Sequence, residues 1–201
     1  QMMSADLSGS RFSSGTSFLS ADLTDAKFVS SVVYASMSNA QANGADFSNA
    51  SFSTGFSHAQ LNSANFDNAS FSQGSGSFYK AEISDASFVS TDFWHRASFQ
   101  NATAERANFS GQDFQYANGD IDFSSADLDG ANFSGAHLES ADFSNASLVD
   151  ADLTNLHYGS DEWGNSLSTS IDFSDAQMMS ADLSGSRFSS GTSFLSADLT
   201  D

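Results

Sequence analysis

The chain has 201 residues and a formal net charge of −19, with 6 Lys and Arg against 25 Asp and Glu. A chain this acidic lacks the cations to bind nucleic acid through phosphates, and an anionic membrane surface repels it. It has no cysteine and no apolar run near the ~18 residues of a membrane span, so disulfides, thiolate zinc sites and membrane insertion are not expected. A hydrophobic content of 39%, with 20 Phe, favours an ordered structure.

The two ends of the chain carry the same sequence. Residues 1–25 read QMMSADLSGSRFSSGTSFLSADLTD, and residues 177–201 repeat them without a change. We therefore interpret 1–176 as one tandem unit and 177–201 as the start of the next identical unit. The chain begins with Gln, so we expect it to be a window of a longer array.

Large apolar residues recur every five positions along most of the chain. From residue 123 to residue 183 the phase holds for thirteen consecutive positions, including Phe133, Phe143 and Leu153. Ala usually stands two residues before each apolar centre, and Asp or Asn stands one residue before it. A period of five fits neither a helix nor a simple strand, but it fits a short extended stretch followed by a turn.

Four such stretches close into a square coil of about 20 residues, and the coils stack at about 4.8 Å. Side chains two apart point the same way, so Ala and Leu or Phe face inward and Asp or Asn faces outward. The spacing gives 35 or 36 sides between Leu7 and Leu183, which predicts nine coils per unit and an axial length of about 43 Å. The inward positions should include Leu7, Phe47, Phe66, Phe109, Phe133 and Leu153.

These residues resemble the pentapeptide-repeat family, whose motif is A-(D/N)-L-x-x with Leu or Phe at the centre. The segments SADLSG, GADFSNASF, SANFDNASF and SADLTDAKF match the motif, and the resemblance covers nearly the whole chain. It implies an all-β protein, a right-handed quadrilateral β-helix of about ten coils without substantial α-helix. Residues 1–201 would then form a single continuous solenoid.

The spacing departs from five at several places, which we interpret as bulged or clipped corners. It becomes six at Phe12–Phe18 and Phe93–Phe99, seven at Phe71–Phe78, and four at Phe52–Phe56 and Gly119–Phe123. Residues 32–42 are poorly in phase, and the Ser-Gly run at 72–77 is expected to protrude.

With 20 residues per coil, one outward column would hold Asp122, Asp142, Glu162 and Asp182. Four carboxylates stacked at about 4.8 Å repel one another, so they would either bind cations or have raised pKa values. Oxygen ligands at this spacing suit Ca²⁺ or another divalent cation. The alternative is a solvated acidic face that keeps a fibre soluble.

Two further groups of outward residues are candidate sites. His137 and His157 would stack in another column, where they would bind a transition metal, respond to pH, or simply lie at the surface. Trp94, His95 and Arg96 fall in a six-residue spacing, where they would either bulge outward as a lateral contact with a neighbouring chain or tuck into a corner.

No catalytic residues and no cofactor-binding residues are predicted, because the chain has no nucleophile-elbow and no phosphate-loop motif. The first functional hypothesis is a structural repeat unit of a long filament, sheath or surface fibre, extracellular or at the surface of a bacterium. Its partner would be itself, by end-to-end continuation and lateral bundling. The alternative, implied by the resemblance, is an acidic rod that mimics DNA and binds a DNA topoisomerase or another DNA-binding protein.

Overall fold

The structure is a computed structural model that describes residues 1–71, 76–93, 97–114, 121–138, 140–157 and 170–200. In these ranges the chain forms no helix, and its regular elements are two-residue strands and single parallel bridges. The strands are β1 Arg11–Phe12, β2 Val32–Val33, β3 Ser51–Phe52, β4 Ile121–Asp122, β5 Ala141–Asp142 and β6 Ile171–Asp172. They form two parallel sheets, β1-β2-β3 and β4-β5-β6. The predicted all-β solenoid is confirmed.

Parallel bridges join each coil to the next and arrange the outward residues in four columns. Column A runs through residues 22, 41, 60, 82, 103, 127, 147, 177 and 198, and column B through residues 6, 27, 46, 65, 87, 108, 132, 152 and 182. Column C contains residues 11, 32, 51, 70, 92, 113, 137, 157 and 187, and column D contains residues 17, 36, 55, 77, 98, 122, 142, 172 and 193. Each coil therefore has four sides.

Three of the four corners are closed by the same tight turn. After columns A, B and D, a backbone N–H bonds the carbonyl three residues earlier, as from Ala69 to Phe66 at 2.9 Å. The residue between them in the left-handed region is Asn68, with φ of 58–59° like Asn49 and Asn145. Positive φ at the third position defines a type II turn, which Gly, Asn and Asp tolerate better than other residues, although Ser also occupies it at several corners. Every described residue with positive φ lies at one of these three corners.

The fourth corner, between columns C and D, carries all of the length variation. Every step from A to B, from B to C and from D to A is five residues. The step from C to D ranges from four residues, as from Val32 to Ser36, to fifteen, from His157 to Asp172. Among the residues that the structure describes at this corner, none has positive φ, so the type II turn that fixes the length of the other sides is not found there. The predicted spacing anomalies at Phe12, Phe52, Phe71 and Phe93 all fall on this one edge.

The predicted coil number was wrong. Met2 N–H bonds Asp22 O, and seven further bridges lead along column A to Gln177, so the unit has eight coils rather than nine. Two of the three excess sides come from the fifteen-residue step between His157 and Asp172, where the phase of five continues, and the third comes from the nine-residue step between Asp113 and Asp122. His157 and Asp172 occupy consecutive positions in columns C and D, because Asp152 pairs with Asp182 and Asp142 with Asp172. At about 4.8 Å per coil the unit is about 38 Å long, and the whole chain completes nine coils rather than ten.

Stacked phenylalanines fill the interior of the solenoid. In column D the rings that follow the outward residues stack face to face, with centroid distances of 5.0 Å for Phe78–Phe99, 4.8 Å for Phe99–Phe123 and 4.9 Å for Phe123–Phe143. A second stack, Phe66–Phe88–Phe109, has a spacing of 5.0 Å and meets the first edge to face. The six predicted inward residues are confirmed, five fully buried and Leu7 partly buried against the core.

Candidate functional surface: the outward columns

The outward Asp and Asn residues hold the turn that follows them. Asp46 Oδ1 accepts the N–H of Ser48 at 3.0 Å, Asn132 Oδ1 accepts that of Ser134 at 2.9 Å, and Asp142 Oδ1 accepts that of Ser144 at 2.8 Å. A short acceptor at this position satisfies a donor that the turn would otherwise leave unpaired. The motif therefore has a structural reason to place Asp or Asn before each apolar centre, independent of any ligand.

The predicted acidic column is only partly correct. Asp122 and Asp142 are neighbours in column D, and the third carboxylate in that column is Asp172. Asp182 lies in column B beneath Asp152. The coil after Asp142 has thirty residues instead of twenty, which moves Asp182 by two columns. Glu162 lies outside the described residues.

The described part of the chain contains no group of three or more His, Asp or Glu that could hold a metal ion. In column D, Asp122 and Asp172 each accept two hydrogen bonds from the serine two residues later, at Ser124 and Ser174. The four-carboxylate geometry on which the cation hypothesis depended is therefore not formed.

His137 and His157 are neighbours in column C, as predicted. Sequence reasoning missed their carboxylate companion: His137 Nδ1 lies 3.5 Å from Asp113 Oδ1, one coil earlier. The Nε2 atom of His137 is buried and has no hydrogen-bond partner in the described structure. Asp113 precedes His137 by twenty-four residues, so a prediction that assumes twenty residues in every coil does not place the two side by side.

Several carboxylates have perturbed pKa values, each with a local cause. Burial raises the pKa of Asp127, and the charges of Asp129 and Glu105 add to the rise, while the N–H of Asp129 opposes it. Hydrogen bonds from Ser184 lower the pKa of Asp182. These groups are scattered over columns and corners, so they do not define a catalytic centre.

Two charged residues connect neighbouring coils at the corner after column A. The guanidinium of Arg106 binds Asp85 through Nε at 2.8 Å and Nη2 at 2.9 Å, and Nη1 binds Glu105 at 2.9 Å. Hydrogen bonds and charge from Arg106 lower the pKa of Asp85. These ion pairs of Arg106 are exposed, so they contribute little to the stability of the fold and are weakened by salt.

Asp67 and Asp129 act as acceptors that bind the next coil. Asp129 Oδ1 accepts from Ser147 Oγ at 2.5 Å and from the N–H of Val149 at 3.0 Å. Asp67 Oδ1 accepts from Ser87 Oγ at 2.6 Å and from the N–H of Val89 at 3.1 Å. The repeated pattern of Asp at the corner followed one coil later by Ser-x-Val is a sequence signal that could have revealed these contacts.

Trp94, His95 and Arg96, the predicted lateral contact, lie outside the described residues. Their flanking residues Phe93 and Ala97 are buried, and the segment belongs to the step between columns C and D. Among the residues that the structure describes, none forms a helix long and apolar enough to span a membrane.

The columns, the tight corners and the aromatic stacks define a parallel β-solenoid protein with four sides. Residues 95–118 and 120–155 match the family model described as pentapeptide repeats, in 8 copies. In this part of the chain, 60 of its 201 residues, the sequence is similar to the pentapeptide-repeat family.

The chain aligns with several solved structures, of which one, QnrB1, supports the same fold. A trypsin-treated variant of QnrB1, a plasmid-mediated fluoroquinolone resistance protein, aligns over 94% of this chain and 91% of its own, at 18% identity and a TM-score of 0.58. HetL of the cyanobacterium Nostoc, a pentapeptide repeat protein involved in heterocyst differentiation regulation, aligns over 98% and 88%, at 21% identity and a TM-score of 0.48. A pentapeptide repeat protein of the Arabidopsis thaliana thylakoid lumen aligns over 57% and 61%, at 23% identity and a TM-score of 0.28. No curated protein sequence matches the chain.

Proposed function

We propose that this chain is a structural unit of a long acidic solenoid, a filament, sheath or surface fibre that acts through its shape and surface rather than through catalysis. One observation carries the proposal: the sequence repeats without change after 176 residues, and that distance is a whole number of coils. A unit of eight whole coils lets each copy stack on the last in the same rotational register.

The two copies of the repeated segment have the same backbone conformation. Ser4 and Ser180 have φ of 53° and 57°, and Ser20 and Ser196 have φ of 54° and 58°. The turn bond from Ala5 N–H to Met2 O measures 3.1 Å, and its counterpart from Ala181 to Met178 also measures 3.1 Å. Identical segments thus occupy equivalent places in the solenoid, as a repeating array requires.

Burial differs between the copies in the way that continued stacking explains. Leu23 is 0% exposed because the next coil covers it, whereas its counterpart Leu199 is 51% exposed. Met178 is 1% exposed because a coil precedes it, whereas its counterpart Met2 is 37% exposed. Each end therefore presents a surface whose complement already exists inside the same sequence.

We propose a continuous chain rather than end-to-end docking of separate chains, because a second copy of the unit already follows the first within one chain. Met2 N–H bonds Asp22 O as Met178 N–H bonds Asp198 O, so the second copy continues the solenoid of the first in the same register.

We place this rod outside the cell or at the cell surface of a bacterium, with itself as partner and with neither nucleic acid nor a membrane as ligand. The net charge of −19 supports the last two points, and pentapeptide repeat proteins are typically non-catalytic. No bound cofactor is part of the proposal.

The test is to size the native protein under denaturing conditions and to image it by negative-stain electron microscopy. We expect a polypeptide many times larger than 21.2 kDa and unbranched filaments. A native polypeptide of one unit that stays a short soluble rod would contradict the proposal.

A second candidate is a DNA-mimicking rod that binds a topoisomerase, and the acidic surface favours it. Columns A, B and D each have a net negative charge, in a chain whose total is −19. The test is a DNA supercoiling assay with added protein. Inhibition that is lost when Asp122, Asp142 and Asp172 are changed to Asn would support this function over the structural one.

A further inference from the structure

Column C differs from the other three columns in its charge. Its nine residues include two Arg and two Asp, so their formal charges cancel, and it also holds two of the chain's four His. The charged residues of the other columns are Asp22, Glu82, Asp127 and Asp198 in A, Asp6, Lys27, Asp46, Asp152 and Asp182 in B, and Asp122, Asp142 and Asp172 in D. Rods of this sequence therefore repel one another least where they meet through column C.

Within two coils of His137 in column C, acidic residues precede it and basic residues follow it. Asp92 and Asp113 lie two coils and one coil before it, and His157 and Arg187 lie one coil and two coils after it. Parallel bridges join Asp113 to His137 and His137 to His157. The five residues span four coil steps, about 19 Å along the axis.

Contacts of the neighbouring residues place Asp92 and Arg187, the first and last members of this series, in column C. The rings of Phe93 and Phe114, next to Asp92 and Asp113, stack at 5.8 Å, and Gln112 bonds the backbone of Thr91. At the other end the N–H of Arg187 bonds Leu156 O at 3.2 Å. Asp113, His157 and Arg187 are exposed, while Asp92 and His137 are half-buried.

We propose that a second copy of this chain binds column C in antiparallel orientation, with the two-fold axis at His137. Arg187 then faces Asp92 of the second copy, and His157 faces its Asp113. Because a two-fold interface repeats every contact, each copy supplies both members of both pairs. Because both rods rise by the same distance per coil, each of the five positions in one copy lies opposite one of the five positions in the other copy. A parallel arrangement in register would instead place Arg on Arg and Asp on Asp.

The arrangement also follows the geometry of the unit. One five-residue series occurs per 176 residues, and eight whole coils bring each series to the same side of the solenoid. The 201-residue chain contains one complete series, so the pairing does not depend on whether the chain forms part of a filament.

The experiment is a charge swap read out by sedimentation equilibrium of the 201-residue chain at low salt. We expect a dimer for the natural sequence. Arg187→Asp alone and Asp92→Arg alone should each weaken association at least about tenfold, since each creates two like-charge contacts per dimer. The double variant Arg187→Asp with Asp92→Arg should restore association to within about threefold, because it exchanges the charges and recreates both pairs.

Arg11→Asp is the matched control. Arg11 stands in the same column and in the same local sequence as Arg187, and the substitution changes the net charge equally, but it lies six coils from His137 and outside the paired series. It should leave association unchanged. Thermal melting of every variant checks that the outward substitutions leave the fold intact. A natural sequence that remains monomeric, a double variant that stays dissociated, or an Arg11→Asp variant as weak as Arg187→Asp would overturn the proposal.

Discussion

At the scale of single residues, the stacked phenylalanines are the largest fully buried side chains of the core. Phe123 is fully buried between Phe99 and Phe143, at ring distances of 4.8 and 4.9 Å, and meets Phe133 edge to face at 5.3 Å. Such a side chain loses its contacts above and below at once when it is truncated, because the neighbouring coils are held apart by backbone bridges and cannot collapse.

Phe123→Ala should therefore lower the free energy of unfolding by about 3–5 kcal/mol. The measurement is denaturant unfolding followed by circular dichroism. Leu195→Ala is the control, since Leu195 is 71% exposed and should lose no more than about 0.5 kcal/mol. Equal effects of the two substitutions would mean that the stack does not support the coil.

The ion pair between Asp85 and Arg106 predicts a specific pH dependence of the stability of the fold. The pKa of Asp85 is lowered in the folded state, so the stabilisation is present above the pKa of the unfolded chain and is lost as the pH falls through the folded-state value. Arg106→Gln should raise the pKa of Asp85 towards its ordinary 3.8, measured by carboxyl-carbon NMR titration. The control is Asp182, whose pKa is lowered by Ser184 and should not move. An unchanged Asp85 would show that Arg106 does not bind it in solution.

At the scale of the coil, a side with a type II corner has a fixed length and a side without one does not. Asn68 adopts φ of 59° so that Ala69 can bond Phe66, and this geometry admits neither an extra residue nor a missing one. Between columns C and D the described residues include no turn of this kind, and steps of four to fifteen residues coexist with an undisturbed core. Insertions on one edge of a solenoid are typical of its variable, often binding, surface.

This difference is testable by insertion. Gly-Ser-Gly placed between Ser53 and Thr54, on a C-to-D step, should change the melting temperature little, because lengthening a loop costs only about 0.6 kcal/mol per doubling. The same three residues placed between Asp67 and Asn68 should destabilise the chain strongly. They break the Ala69–Phe66 turn bond and displace Asp67 from Ser87 and Val89. Comparable melting temperatures for both insertions would contradict the assignment of the variable corner.

Much of the fold could be predicted from the sequence, because one rule applies at every side. The inward apolar residue and the outward Asp or Asn follow from the period alone, and the buried residues confirm it. The coil count could not be obtained in this way, since an apolar residue in a long step keeps the phase by coincidence. The recurrence of Ile-Asp-Phe-Ser at 121–124 and 171–174 was the missed signal, because these two segments lie in the same column, separated by two coils and fifty residues.

The prediction of the candidate sites depended on the number of residues assumed for each coil. Neighbours separated by twenty residues, such as His137 and His157, were found correctly. Asp172, which stands thirty residues after Asp142, and Asp113, which stands twenty-four residues before His137, were missed. Backbone bridges between coils decide which outward residues become neighbours. A surface site on a solenoid can therefore be predicted from the sequence only if the number of residues in each coil is predicted correctly.

At the scale of the whole molecule, identical residues differ only in what stacks on them. Leu23 and Leu199 share the sequence Ser-Ala-Asp-Leu-Thr-Asp and the same column, but Leu23 has a coil on both sides and Leu199 on one. This pair isolates the contribution of one coil–coil contact without any change in local sequence. It also offers a direct test of whether units continue one another.

We predict that Leu23→Asp lowers the free energy of unfolding of the 201-residue chain by about 3 kcal/mol or more, since it buries an unpaired carboxylate, whereas Leu199→Asp changes it by no more than about 0.5 kcal/mol. In a chain of two units, residues 1–176 followed by residues 1–201, the leucine at position 199 lies inside the solenoid. Substituting it should then cost as much as substituting Leu23 does in the shorter chain. The measurements are denaturant unfolding for the stability and small-angle scattering for the length, which should grow by about 38 Å per unit. A junction leucine that tolerates Asp, or a two-unit chain that scatters as two rods at an angle, would show that the units do not form one solenoid.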